Sequence, residues 1–228
     1  MRTTYKTLTL DRALLAINVY NKGLYGEMPN PDLDERAREM FEGGLGITTE
    51  KILEQVNFVG KDYGGAAGFK AAYALAPDIA RDIASNRAQY EQAVRDAQPI
   101  LIQVPRQAAI DILYRPFVKP LHGKSNWHVW FTKFCFWLNQ RAFPIEDRYV
   151  NEFFKIVEAN SPGKYQRFAE KFRTFTLASQ SWLLEMRQVD DGADSQPCSD
   201  NKLWDKVFYG LGELAKAEKG IRNSTCVA

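Results

Sequence analysis

The chain has 228 residues and a mass of 26.0 kDa, with 45% hydrophobic and 25% charged positions and a formal net charge of +2, a profile that excludes intrinsic disorder and collagen-like order. No stretch approaches the roughly 18 consecutive apolar residues of a membrane span, and Met1 to Leu10 lacks the apolar block of a signal peptide. Cys135, Cys198 and Cys226 are widely spaced and have only His122 and His128 to join them, which argues against a disulfide framework or a metal site and points to a cytoplasmic protein without a cofactor.

Apolar residues recur at helical spacing through nearly the whole chain and strict alternation is absent, so the expected fold class is all-α. Asp11 is placed as the N-cap of a helix from Arg12 to about Leu24, and Asp32 opens a second, acidic helix to about Glu42, stopped by Gly43-Gly44. Thr48 and Thr49 begin a third, reaching about Phe58. Gly60 to Gly68 reads as a glycine-rich loop, but no lysine follows in P-loop register and no strand precedes it, so it is not a nucleotide loop. Ala71 to Ala76 and Asp78 to Ala97 form a helix pair broken at Pro77. Ile100 to Val104 is the one strand-like run. Pro105 opens a helix to about Tyr114, and Arg115 to Ser125 is a connector.

Asn126 to Leu138 is the most apolar segment and predicts a central helix. Another helix runs from Glu146 or Asp147 to Glu158, and Ser161-Pro162 starts one that reaches about Arg187. Val189 to Ser199 is polar and is expected to be a mobile loop; Asp200 then caps a last helix, Lys202 to about Lys219. The whole forms a single helical domain over residues 1–228, with a subdomain boundary admissible near residues 99–120.

Charge is unevenly distributed. Acids dominate between Glu27 and Glu54, whereas Arg106, Arg115, Lys119 and Lys124 face only Asp111, and the excess of base continues to Arg187. The basic half suits a polyanion such as DNA, and the acidic half a basic protein partner; the alternative is two solvated faces of opposite sign.

Lys133 is the anomaly of the apolar helix. Its neighbours three and four residues away are Val129, Trp130, Phe136 and Trp137, so its ammonium emerges from an apolar stripe. Such a lysine either snorkels outward or meets a carboxylate. Desolvation lowers its pKa toward the free amine that Schiff-base chemistry requires, while a nearby carboxylate acts in the opposite sense, so the net sign is open. Asp147, at the mouth of the following helix, is the natural partner. The alternative is a helix-capping aspartate beside an ion-paired lysine. His128 reads as a hydrogen-bonded core group and Cys135 as a small buried hydrophobe; Ser179 and Ser181 have no histidine nearby for hydrolase chemistry.

The stretch Thr132-Lys133-Phe134 through Trp137-Leu138-Asn139, then Phe143-Pro144-Ile145-Glu146-Asp147-Arg148-Tyr149-Val150, resembles a pattern in the helix-hairpin-helix DNA glycosylase superfamily. A second likeness is Leu203-Trp204-Asp205-Lys206 through Gly210-Leu211-Gly212, similar to the closing helix of those proteins. Together they cover about a fifth of the chain. The resemblance implies two helical subdomains with a cleft between them, a flipped nucleotide, Lys133 attacking C1′ of its sugar, and Asp147 stabilising positive charge and assisting proton transfer. Lys119, Lys124, Asn126, Trp127 and Arg148 are the expected DNA-contacting set, and Trp127 and Trp130 serve either as stacking surface or as core. The superfamily's Pro-Gly-x-Gly hairpin is absent: Leu121-His122-Gly123-Lys124-Ser125-Asn126 stands in its place. A non-catalytic nucleic-acid-binding or protein-interaction module on the same fold is the alternative reading.

Overall fold

A computed structural model describes residues 8–22, 30–63, 74–97, 104–118, 127–190 and 198–225. The Gly64 to Gly68 cluster, His122, Lys119, Lys124, Asn126, Cys226 and most of the Ile100 to Val104 run lie outside the described residues, as does the centre of the 189–199 segment. Those described form eleven α-helices and no strand, the all-α class that the apolar spacing predicts.

Helix α1 spans Leu10–Lys22; the Arg12 backbone N–H donates to Thr9 Oγ1 at 3.4 Å, so Thr9 rather than Asp11 is the cap, and Asp11 complements the dipole from the first turn. Helix α2, Asn30–Met40, gives way to Gly43 and Gly44, whose φ values of 78° and 88° favour residues without a side chain. Helix α3, Thr49–Lys61, is capped as expected by Thr48, which accepts from the Lys51 N–H at 3.2 Å. Helices α4, Ala76–Ser85, and α5, Arg87–Asp96, break at Asn86 instead of Pro77. Proline is accommodated in the first turn of α4, where no helical N–H is needed, while Asn86 Nδ2 donates to the Asp82 carbonyl at 2.8 Å and ends the helix. Helix α6, Gln107–Val118, runs past Tyr114 and through Pro116, so the first residues of the expected connector are helical.

Helix α7 is Trp127–Leu138. Helix α8, Arg148–Phe154, is capped by Asp147 and stops short of Glu158 because Lys155 turns left-handed at φ 53°. Beyond it the single helix expected to reach Arg187 is divided. Ser161 caps α9, Pro162–Ala178; a 3-10 turn at Gln180–Trp182 follows, and α10 is Leu183–Asp190, which takes Val189 and Asp190 out of the expected loop. Helix α11, Asp200–Thr225, begins with Ser199 Oγ accepting from the Lys202 N–H at 3.2 Å, so the cap is Ser199 and not Asp200.

Buried residues from α1 to α11 make one contiguous cluster. Helix α7 is its axis, as its apolarity predicts, with only Trp127, Val129, Lys133 and Leu138 not fully buried. Each large side chain buried there, such as Phe131, Phe134 or Phe136, contributes roughly 1.5–3 kcal/mol. Trp130 belongs to this core: it is fully buried and its indole N–H donates to the Val56 carbonyl at 2.9 Å. Helix α11 packs against α1 so closely that a Cβ at Gly210 would stand 2.1 Å from the Ala16 carbonyl oxygen. No helix among the described residues is long and apolar enough to cross a membrane.

Candidate functional site

Two lysines lie in one electrostatically coupled cluster and are treated in opposite ways by it. Lys133, on the second turn of α7, is half-buried; its ammonium donates to the Tyr63 backbone carbonyl at 2.8 Å and sits 5.2 Å from the centre of the Tyr63 ring. Burial lowers its pKa below the ordinary lysine value, and the Lys202 charge acts in the same sense. The carboxylates of Asp147 and Asp205 oppose them without restoring the ordinary value. Asp147 is also half-buried, and one of its oxygens accepts the Val150 N–H at 3.0 Å as the N-cap of α8. Burial raises its pKa, against the pull of the Lys133 charge and the backbone donors. The sequence-derived pair therefore interacts through space, with no hydrogen bond between them, and each partner is drawn toward its neutral form.

Lys202, on the first turn of α11, is fully enclosed. Its ammonium lies 2.9 Å from Asp34 Oδ1, 2.9 Å from Asp205 Oδ2, and 2.8 Å from the hydroxyls of both Tyr20 and Tyr63. Those hydroxyls in turn donate to the two oxygens of Asp34, at 2.7 Å from Tyr20 and 2.8 Å from Tyr63. The rings of Tyr20, Tyr63, Phe136 and Trp137 surround the charge at 4.8–5.9 Å. Burial works against this ammonium, but Asp205 and Asp34 outweigh it and hold its pKa well above the ordinary value. Burial and the Asp34 charge push both tyrosine hydroxyls up, so they remain protonated donors. Lys202 is a fixed cation that also repels the proton on Lys133.

Behind Asp147 stands a second buried chain. Glu146 is completely buried; its Oε2 accepts from His128 Nε2 at 2.8 Å and its Oε1 lies 2.6 Å from the Lys164 ammonium. A carboxylate only accepts, so His128 carries its proton on Nε2, and its Nδ1 meets the Tyr114 hydroxyl at 2.8 Å. Burial opposes the Glu146 charge, yet the His128 and Lys164 hydrogen bonds keep its pKa low. The Thr132 hydroxyl proton is shared between the Val129 carbonyl of its own helix at 3.1 Å and the Glu146 backbone carbonyl at 3.2 Å. The residue before Lys133 is thereby fastened to the residue before Asp147, which sets the relative position of α7 and the start of α8. His128 is thus the hydrogen-bonded core group that the sequence suggests. Cys135 is buried, and that burial raises its thiol pKa.

Of the expected DNA-contacting set, Trp127 is partly buried against the core, with its ring 5.7 Å from that of Trp130. Arg148 is exposed on the first turn of α8, 3.8 Å from Glu152 and stacked over Tyr149. Asp34, Tyr63, Lys202 and Asp205 were not singled out from the sequence as site residues. The available signal was Lys202 and Lys206, four residues apart beside Leu203, Trp204 and Val207, which places two cations on the apolar face of α11. No cluster of His, Cys, Asp and Glu suited to a metal occurs among the described residues. Comparisons with protein-family models, curated proteins and solved structures find no match to the chain.

Proposed function

We propose that the protein is a DNA glycosylase-like enzyme that uses Lys133 as an amine nucleophile at a flipped nucleotide, with Asp147 as the assisting acid. The observation that carries this reading is the contrast between two neighbouring lysines: Lys133 is held by the Tyr63 carbonyl and has no carboxylate at ion-pair distance among the described residues, and burial lowers its pKa, whereas Lys202 is met by two carboxylates and two hydroxyls, and its pKa is raised. In the proposed step the Lys133 lone pair bonds to C1′ of the sugar, the bond from C1′ to the base breaks, and the base leaves with the electron pair. Asp147 stabilises the positive charge that develops on the sugar, takes a proton from the bonded nitrogen and returns it to O4′ as the C1′–O4′ bond breaks, which leaves the Schiff base; the departing base takes its proton from water. DNA would lie between two helical subdomains, with Arg148 and Trp127 among its contacts together with Lys119, Lys124 and Asn126.

Borohydride reduction in the presence of duplex DNA carrying an abasic site tests the reading. A covalent adduct is expected with the natural chain and is absent with Lys133→Gln. No adduct, or an adduct that survives Lys133→Gln, overturns it. Salt-sensitive retention of DNA without any adduct, unaffected by Asp147→Asn, assigns the fold to a non-catalytic binding module instead.

A further inference from the structure

A pocket of about 240 Å³ lies between the loop that follows α7, one face of α9 and the first turn of α11. It shares no residue with the Lys133, Asp147, Lys202 and Asp205 cluster. Its size is slightly below the roughly 300–1,000 Å³ of drug-sized ligand sites, so it suits a compact ligand. Phe172, Leu177 and Leu183 supply an apolar wall, and Arg141 and Arg173 supply two guanidinium groups. Asp200 is the one carboxylate on the lining, and it is already ion-paired with Arg187.

Neither Arg141 nor Arg173 has a carboxylate partner at ion-pair distance among the described residues. The Nε–H of Arg173 is buried and has no acceptor. An unanswered buried donor of this kind costs roughly 1–3 kcal/mol, and more when it belongs to a charged group. Burial lowers the Arg173 pKa and the Asp200 charge opposes it without restoring the ordinary value, consistent with a partly dehydrated cation. Two unpaired guanidinium groups match the charge of a dianion better than that of a single carboxylate, and their planar forks fit phosphate oxygens.

We propose that this pocket binds a phosphate monoester carried on a compact apolar or aromatic body, with the phosphate held by Arg141 and Arg173 and the organic group against Phe172, Leu177 and Leu183. Such a phosphate occurs on free small molecules and at the 5′ end of a cut nucleic-acid strand. The site does not depend on Lys133, and its test is separate from that of the glycosylase reading.

Calorimetric titration of the full chain with phenyl phosphate, inorganic phosphate and benzyl alcohol tests the proposal. Phenyl phosphate is expected to saturate one site, about tenfold tighter than inorganic phosphate, and benzyl alcohol not to bind. Arg141→Gln and Arg173→Gln each weaken phenyl phosphate about tenfold or more, Arg173→Lys also weakens it, and Lys133→Gln leaves it unchanged. Leu177 is 41% exposed, so Leu177→Glu keeps the fold and places a repelling carboxylate at the wall, abolishing binding even if an arginine variant fails to fold. In a second arm, tighter binding of a 5′-phosphorylated tetranucleotide than of its 5′-hydroxyl counterpart supports a strand end as the source, and binding of phenyl phosphate alone supports a free phosphate ester. Absence of binding by every phosphate-bearing probe overturns the proposal. So does full affinity in the folded Arg141→Gln/Arg173→Gln double variant or in Leu177→Glu.

Discussion

At the scale of single residues, Asp147 has two separable roles. Its carboxylate raises the Lys133 pKa, and its side-chain oxygen caps α8. Asn caps a helix as well as Asp, so Asp147→Asn removes the charge and keeps the cap. The midpoint of Lys133 acylation against pH, followed by mass spectrometry, is therefore expected to move lower still in that variant; an unchanged midpoint would show that the two groups are not coupled. Lys133 also imposes a sign on stability. Between its lowered pKa and the ordinary lysine value the unfolded chain binds more protons than the folded one, so stability rises with pH across that window. Lys133→Met should flatten this rise in denaturant titrations at alkaline pH. Glu146 answers to a different rule, because its partner Lys164 is itself buried. Glu146→Gln removes the charge facing that ammonium and is expected to cost about 3–5 kcal/mol in urea unfolding.

At the scale of helices, α11 comes against the α1 backbone at Gly210, where a side chain has no room. A methyl group there meets a backbone oxygen that belongs to a helix and cannot rotate away, so Gly210→Ala should destabilise by about 1–3 kcal/mol or more, read from thermal melting. An unaltered melting temperature would mean that α1 is free to shift. Helix starts were legible in the sequence at Thr48, Asp147 and Ser161, but at Thr9 and Ser199 the capping hydroxyl stands just before an aspartate that draws the assignment to itself. Breaks inside long periodic stretches were not. The apolar pattern continues through Asn86 and through Ser179, and only the side-chain hydrogen bond of Asn86 and the tight turn at Gln180–Trp182 interrupt it. The site divides in the same way. Lys133 and Asp147 stood out because a charge among aromatic residues is visible within one window of sequence. Tyr20 and Tyr63 come to Lys202 across 182 and 139 residues, and no local pattern encodes such a meeting.

At the scale of the whole molecule, two lysines at the start of α11 join distant parts of the chain. Lys202 binds Tyr20 of α1, Asp34 of α2 and Tyr63 just past α3; Lys206 lies 2.6 Å from Asp190 of α10, which also accepts from Asn21 of α1 at 3.2 Å. The order in which a ribosome delivers the chain then matters. Tyr20 and Tyr63 are synthesised 182 and 139 residues before the cation that binds them, so Asp34 between them must stay hydrated until that cation is made. A released chain truncated before residue 198 should therefore remain sensitive to protease throughout α1 to α3, and one extended through residue 211 should be resistant. The same Tyr63 whose hydroxyl meets Lys202 offers its carbonyl to the Lys133 ammonium, so the surroundings of Lys133 are completed only when α11 docks.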